Sequence, residues 1–264
     1  MSRLAIIAGR GALPAALVAA LPQAPVICAL DGFAPEGLAV DLVFRVERLA
    51  LFLRKLEEMG VTEVIFAGGV QRPRLDPALF DPQTAQMVPR LMAAMASGDD
   101  ATLREVIAIF EDFGFAVVGV ETIAPDLLPN AAVLVGQISA QDEADAARAA
   151  SIVAALGAVD VGQGAVVAQG LCLGVETLGG TDAMLASVAG LPQALRPKGG
   201  LFYKAAKPAQ DRRIDLPTLG PATVEAVAAA GLSGLCFQAG SVICLDLPEM
   251  QARAVQHGLL LWAR

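Results

Sequence analysis

The sequence predicts an α/β protein with two domains, a parallel sheet flanked by helices followed by a mixed α/β region. Three observations lead there. Apolar runs of strand length alternate with segments of helical period through the first half of the chain. The alternation fades near Pro129-Asn130, and a hairpin-like pattern takes over beyond the next helix. Finally, a chain of 264 residues with 55% hydrophobic and 17% charged residues can bury two cores of that kind.

Leu4-Ala5-Ile6-Ile7-Ala8 is all apolar, as expected of a strand covered on both faces. Gly9-Arg10-Gly11-Ala12-Leu13 then makes a tight turn, and Pro14 suits the first turn of a helix. Amides at such a helix start can face a phosphate or ribose, and a plain strand-to-helix turn would need the same glycines. The dinucleotide fingerprint is incomplete. Proline stands at position 14, and no acidic residue is expected at the end of the matching second strand.

PVICAL, DLVFRV, EVIFAGGV and FAVVGVE supply further strands, and Leu49 to Met59, Thr84 to Ala96 and Ala101 to Phe113 supply helices. Right-handed crossovers would place ligands beyond the carboxyl ends of the strands. Those ends are Gly9 to Leu13, Gly68-Gly69-Val70-Gln71 and the loop after Val120, so two glycine-bearing loops are expected to flank one crevice. A first domain over residues 1–132, a linker over 133–140 and a second domain over 141–264 follow. In the second, a helix runs from about Ala140 to Gly157, AVVAQGLCLGVE reads as a hairpin turning at Gln169-Gly170, and GLFYKAA, GLCFQAG and SVICLD add strands.

Charge narrows the function. A net charge of -8 argues against nucleic-acid binding, which needs a basic face. Even so, Arg196, Lys198, Lys204, Lys207, Arg212 and Arg213 lie close together, opposed only by Asp211. Cys28, Cys172, Cys236 and Cys244 sit singly in apolar runs and are expected as buried reduced thiols of a cytoplasmic protein. A signal peptide at ALPAALVAAL is disfavoured because Arg10-Gly11 splits the apolar run and Pro14, Pro22 and Pro25 oppose a span.

Four places carry candidate chemistry. Gly98-Asp99-Asp100 suits a helix start, where acids meet free amides. In DVGQGAVV, Gln163 is flanked by Gly162 and Gly164, a bend before a strand or an amide offered to a ligand. In GGTDAM, Gly180, Thr181 and Asp182 begin a helix whose amides can cap internally or hold a ligand. The fourth, RRIDLPTLGP with its upstream Lys207, sets Arg212 and Arg213 beside Asp215 on a segment stiffened by Pro208, Pro217 and Pro221. Cations beside an acid suit phosphoryl chemistry, with Lys and Arg on phosphate oxygens and the acid on a divalent metal or a water. A surface Arg–Asp pair before a Pro-initiated helix is the structural alternative. A single histidine, His257, precludes a His/Asp metal cluster, and the acids from Arg104-Glu105 to Glu111-Asp112 lack the glycine spacing of a Nudix box.

Taken together, IAGRGALP, FAGGVQRP, GDDATLREV, DVGQGAVV, GGTDAML and KPAQDRRIDLPTLGP closely resemble the LpxI family of UDP-2,3-diacylglucosamine pyrophosphatases nearly end to end. The resemblance implies a Rossmann-like N-terminal domain and a distinct C-terminal one. It also implies Mg2+-aided hydrolysis of UDP-2,3-diacylglucosamine to UMP and 2,3-diacylglucosamine 1-phosphate (lipid X), a step of lipid A biosynthesis. Asp215 carries over as the essential acid and candidate metal ligand, with Lys207, Arg212 and Arg213 beside it. Gly11, Ala12, Leu13, Gly68, Gly69, Gln71, Asp99, Gln163, Gly164, Gly180, Thr181 and Asp182 are expected to contact substrate. Arg10 replaces a glycine common in the family, so it either adds a phosphate contact or points to solvent. A homodimer, located in the cytoplasm with at most peripheral contact at the inner membrane, completes the implied picture. A Rossmann-type oxidoreductase and a non-catalytic nucleotide-sugar-binding protein are the competing readings.

Overall fold

The computed structural model describes residues 2–71, 73–208 and 210–264, so Arg72 and Ala209, each inside one of the motif strings, lie outside the described residues. The chain divides into two compact units, Met1–Pro125 with Asp211–Asp215, and Asp126–Gln210 with Leu216–Arg264.

The first unit is built on β1 (Leu4–Ala8), α1 (Leu13–Ala20), β2 (Val26–Leu30), β3 (Leu42–Phe44), α2 (Leu49–Glu58), β4 (Glu63–Ala67), α3 (Pro82–Ala96), α4 (Asp99–Asp112), β5 (Ala116–Val117) and α5 (Val120–Ile123). Its sheet has the order β3-β2-β1-β4-β5, and every pair is parallel. Central strands with no polar residue, such as Val26–Leu30, are buried along their whole length, as coverage of both faces requires. Helix α2 turns Leu49, Ala50, Phe52, Leu53 and Leu56 inward. Phe52 stacks on Phe44 with ring centroids 4.0 Å apart. Phe110 of α4 meets the edges of Phe52 and Phe66, at 6.4 and 5.0 Å.

Three boundaries depart from the sequence expectation. Helix α3 starts two residues before Thr84, because Asp81 caps it through the amides of Gln83 and Thr84, both at 3.0 Å, with Pro82 at its start. Helix α4 starts at Asp99 rather than Ala101, with Gly98 as its N-cap at a φ of 120°. FAVVGVE is strand only at Ala116–Val117; from Gly119 the chain bends into α5 through amide bonds from Thr122 to Gly119 and from Ala124 to Val120.

The second unit contains β6 (Ala132–Val135), α6 (Ala140–Ala158), β7 (Gly164–Ala168), β8 (Leu171–Val175), α7 (Gly180–Ala189), β9 (Leu201–Lys204), β10 (Thr218–Leu219), α8 (Pro221–Ala229), β11 (Gly234–Phe237), β12 (Ile243–Cys244), α9 (Leu247–His257) and β13 (Leu260–Ala263). Six strands form a mixed sheet in the order β6-β13-β11-β9-β7-β8. Its middle, β9, β11 and β13, is parallel, and β6, β7 and β8 join antiparallel. The segment 133–140, expected as a linker, instead holds most of β6, an edge strand whose half-exposed residues carry too little alternation to announce it. SVICLD is a strand as expected but pairs with β10 in a separate two-stranded sheet. Cys28, Cys236 and Cys244 are buried, and burial first of all pushes each thiol up to about 12. Cys172 corrects the expectation of four buried thiols: it is exposed, because β8 is the free edge of the sheet. Among the described residues, no helix is long and apolar enough to cross a membrane.

The β7–β8 turn shows how the second unit is locked. Gln169 and Gly170 both have positive φ, 49° and 78°, the geometry of a tight two-residue hairpin. Their amides donate, at 2.9 and 2.7 Å, to the carboxylate of Asp145, a residue of α6 that is only 1% exposed. Helix and hairpin are thus joined by a buried charge-assisted pair of hydrogen bonds. Asp145→Ala leaves both turn amides without this acceptor and should lower Tm on the order of 5–10 °C. A thermal melt indistinguishable from that of the parent would contradict this role.

Candidate active site

In the first unit β1 and β4 are neighbours at the centre, so their carboxyl ends mark the point where strand order reverses. The two glycine loops there are bonded to each other: the Arg10 amide donates to Gly69 O at 3.0 Å, and the Gly69 amide to Arg10 O at 2.9 Å. A Cβ at Gly9 would lie 2.6 Å from Gly69 O, and one at Gly68, whose φ is 92°, would lie 2.6 Å from Arg10 O. Glycine is required at both positions by this backbone contact. Gly11, at a φ of 94°, opens to free space, and Ala12 caps α1 with Leu13 and Pro14 in its first turn. The expected substrate-contact residues Gly11, Ala12, Leu13, Gly68, Gly69 and Gln71 therefore surround one stitched turn, with Gly69 and Gln71 exposed.

Arg10 is turned aside, its guanidinium 5.3 Å above the Phe33 ring and donating to Gly32 O at 3.0 Å. Asp31 directly follows β2, where no acid was expected. Its carboxylate lies 3.2 Å from the Arg45 guanidinium. Asp99 and Asp100 occupy the first turn of α4, with no side chain acting as the helix cap.

The segment Asp211–Asp215, late in the sequence, belongs to this unit. Arg213 Nε and Nη2 donate to the Asp211 carboxylate at 3.0 and 2.7 Å, and Nη1 donates to Glu111 of α4 at 2.7 Å. Ile214 packs among the apolar residues of the first core. The Arg213 hydrogen bonds hold the Asp211 carboxyl below its ordinary value, against a smaller opposing cost of burial, and the same partners raise Arg213. Asp215, half-buried, ends the segment, and Arg212 is exposed.

The second unit gathers a different set. Lys204, 5% exposed at the end of β9, places Nζ 3.0 Å from Glu176 Oε2 and 2.5 Å from Thr181 Oγ1, and Thr181 donates to the same Glu176 oxygen at 2.8 Å. Cβ atoms built at Gly162 and Gly164 would lie 2.0 Å from Glu176 O and 2.7 Å from Glu176 Oε2. The glycines on either side of Gln163 thus make room for Glu176. The buried Gln163 Oε1 accepts no hydrogen bond from the described residues. Its carbonyl accepts from Ala205 at 3.0 Å. Gly180, Thr181 and Asp182 form the first turn of α7. Lys207 lies 2.5 Å from Asp160, just beyond α6, and a Cβ at Gly157 would meet Pro208 at 2.9 Å.

Glu176 and Lys204 were not singled out as site residues from sequence. The signal was present: a lysine in an otherwise apolar strand needs a buried partner. The sequence candidates fall into two sets, one in each unit. Asp215 and its arginines share the first with the glycine turn, and Lys207 shares the second with Gln163 and the α7 turn.

For Asp211 the sign is that of a depressed acid. The stabilisation is present above its unfolded value of about 3.9 and is lost as pH falls through the lower folded value. Asp211→Asn should therefore cost about 1–2 kcal/mol at pH 7 in denaturant unfolding, with the gap to wild type closing below about pH 4. A pH-independent gap would contradict the ion pair as its source.

Two family models cover the chain, one described as the LpxI N-terminal domain over residues 3–127 and one as the LpxI C-terminal domain over residues 129–262. A protein of Caulobacter vibrioides (strain ATCC 19089 / CIP 103742 / CB 15) named UDP-2,3-diacylglucosamine pyrophosphatase LpxI is 37% identical over 275 residues, covering 99% of this chain and 97% of the relative. With both halves matched and a relative similar along nearly its full length, the chain belongs to the LpxI family.

Proposed function

We propose that this protein hydrolyses the pyrophosphate of UDP-2,3-diacylglucosamine to UMP and 2,3-diacylglucosamine 1-phosphate, a step of lipid A biosynthesis. The observation that carries the proposal is the similarity to the Caulobacter pyrophosphatase over 99% of this chain and 97% of the relative. Nothing comparable favours an oxidoreductase or a binding protein without turnover.

Asp215 is assigned the essential acid, with Arg212 and Lys207 as the candidate phosphate-holding cations. Because each guanidinium nitrogen of Arg213 faces a carboxylate, Arg213 is assigned to holding the segment in place. The glycine turn, Gln71 and Asp99 in the first unit, and Gln163, Gly164 and the α7 turn in the second, are assigned to substrate contact. Among the described residues, no group of three or more His, Cys, Asp or Glu gathers that could hold a metal alone. Mg2+ keeps several waters and takes one or two carboxylates together with substrate phosphates, so a single carboxylate such as that of Asp215 suits it. Asp215 would hold it, and the cation would neutralise pyrophosphate charge. A homodimer in the cytoplasm, touching the inner membrane only through its lipid substrate and product, completes the reading.

Release of labelled 2,3-diacylglucosamine 1-phosphate from radiolabelled UDP-2,3-diacylglucosamine tests the activity, and the absence of product with folded protein would sink it. Asp215→Ala should reduce turnover on the order of a thousandfold or more while substrate still binds. Near-normal turnover by that folded variant would remove Asp215 from the site. Exhaustive chelation should abolish hydrolysis and added Mg2+ restore it; full activity after chelation would refute the metal requirement.

A further inference from the structure

We infer that Lys204 is a positioning residue, whose buried ammonium fixes the first turn of α7 in the geometry that receives substrate. This rests on the function proposed above. Lys204 and Glu176 are 5% and 7% exposed, so both charges are withdrawn from water. Such a pair is a poor source of stability, since an apolar pair of similar shape commonly does as well. What the pair does secure is geometry. Lys204 Nζ holds Thr181 Oγ1 at 2.5 Å and Glu176 Oε2 at 3.0 Å, and Thr181 closes the triangle at 2.8 Å.

Each corner comes from a different element. Lys204 ends β9, Glu176 directly follows β8, and Thr181 lies in the first turn of α7. The connecting turn would otherwise be loose, because it contains Gly179 and Gly180, and Gly180 has a φ of 76°. The backbone is also shaped around the triangle. Glycine at 162 and 164 leaves the space that Glu176 fills, which a Cβ at either position would invade at 2.0 and 2.7 Å. Sheet, hairpin and helix therefore converge on the orientation of one helix start, whose amides are suited to an anionic group. Lys204 acts on substrate through that turn rather than as a catalytic residue.

The test is steady-state hydrolysis of UDP-2,3-diacylglucosamine by wild type and Lys204→Met, with thermal melts of both. A positioning role raises KM about tenfold or more and leaves kcat within about threefold, because the chemistry at Asp215 is untouched. A purely structural role lowers the folded fraction, so apparent kcat falls at unchanged KM, and that result would overturn the inference. Should Lys204→Met fail to fold because Glu176 is left buried and unpaired, Lys204→Met/Glu176→Gln removes both charges at similar volume and is judged by the same split. If wild type itself releases no product, it is the proposed function that fails; if wild type is active and the variants keep its KM, only the role of Lys204 fails.

Discussion

One ionic clamp in the first unit holds the late segment on which the proposed site depends. Arg213 lies between the carboxylates of Asp211 and Glu111 and fixes five residues, Asp211–Asp215, to the first unit, although the residues before and after them belong to the second. Charge-assisted bonds to a planar guanidinium set direction as well as distance, so the end of this short segment inherits a defined position. Asp215 is that end. In the role proposed above, an acid carried to its place in this way would need no histidine and no preformed metal cage.

The glycines follow a similar logic of close approach. Gly9 and Gly68 allow two strand-to-loop turns to bond to each other, and Gly162 and Gly164 admit Glu176 against the end of β7. In both cases a position that resembled a ligand cradle is first a place where backbone must pass where no side chain fits. That is compatible with its place in the proposed site. The close contacts lie beside Gly11 and Gln71 in one unit and the α7 turn in the other.

Much of the fold was legible because strong periodicity leaves little choice. Apart from Glu63 at the start of β4, the parallel strands of the first unit are unbroken apolar runs, and the β7–β8 hairpin announced itself through Gln169-Gly170. What escaped lay where tertiary partners decide. The edge strand β6 has weak alternation of its own and exists through pairing with β13. The return of residues 211–215 to the first unit depends on Glu111, 102 positions away from Arg213, a separation no local pattern encodes. Asp31 was passed over although the expected strand PVICAL and β2 both end at Leu30, directly before it. The motif strings located the candidate residues, whereas the Lys204–Glu176–Thr181 triangle required the register of β7 on β9 to become visible.

The claim that the clamp positions the acid is most directly tested by hydrogen–deuterium exchange of the peptide spanning 211–215, in wild type and in Glu111→Ala. Loss of the Glu111 carboxylate removes one partner of Arg213 and leaves Asp215 and its neighbours intact. The account predicts severalfold faster exchange in that peptide, unchanged exchange in the six-stranded sheet of the second unit, and a parallel fall in kcat. Exchange and turnover both equal to wild type would contradict it.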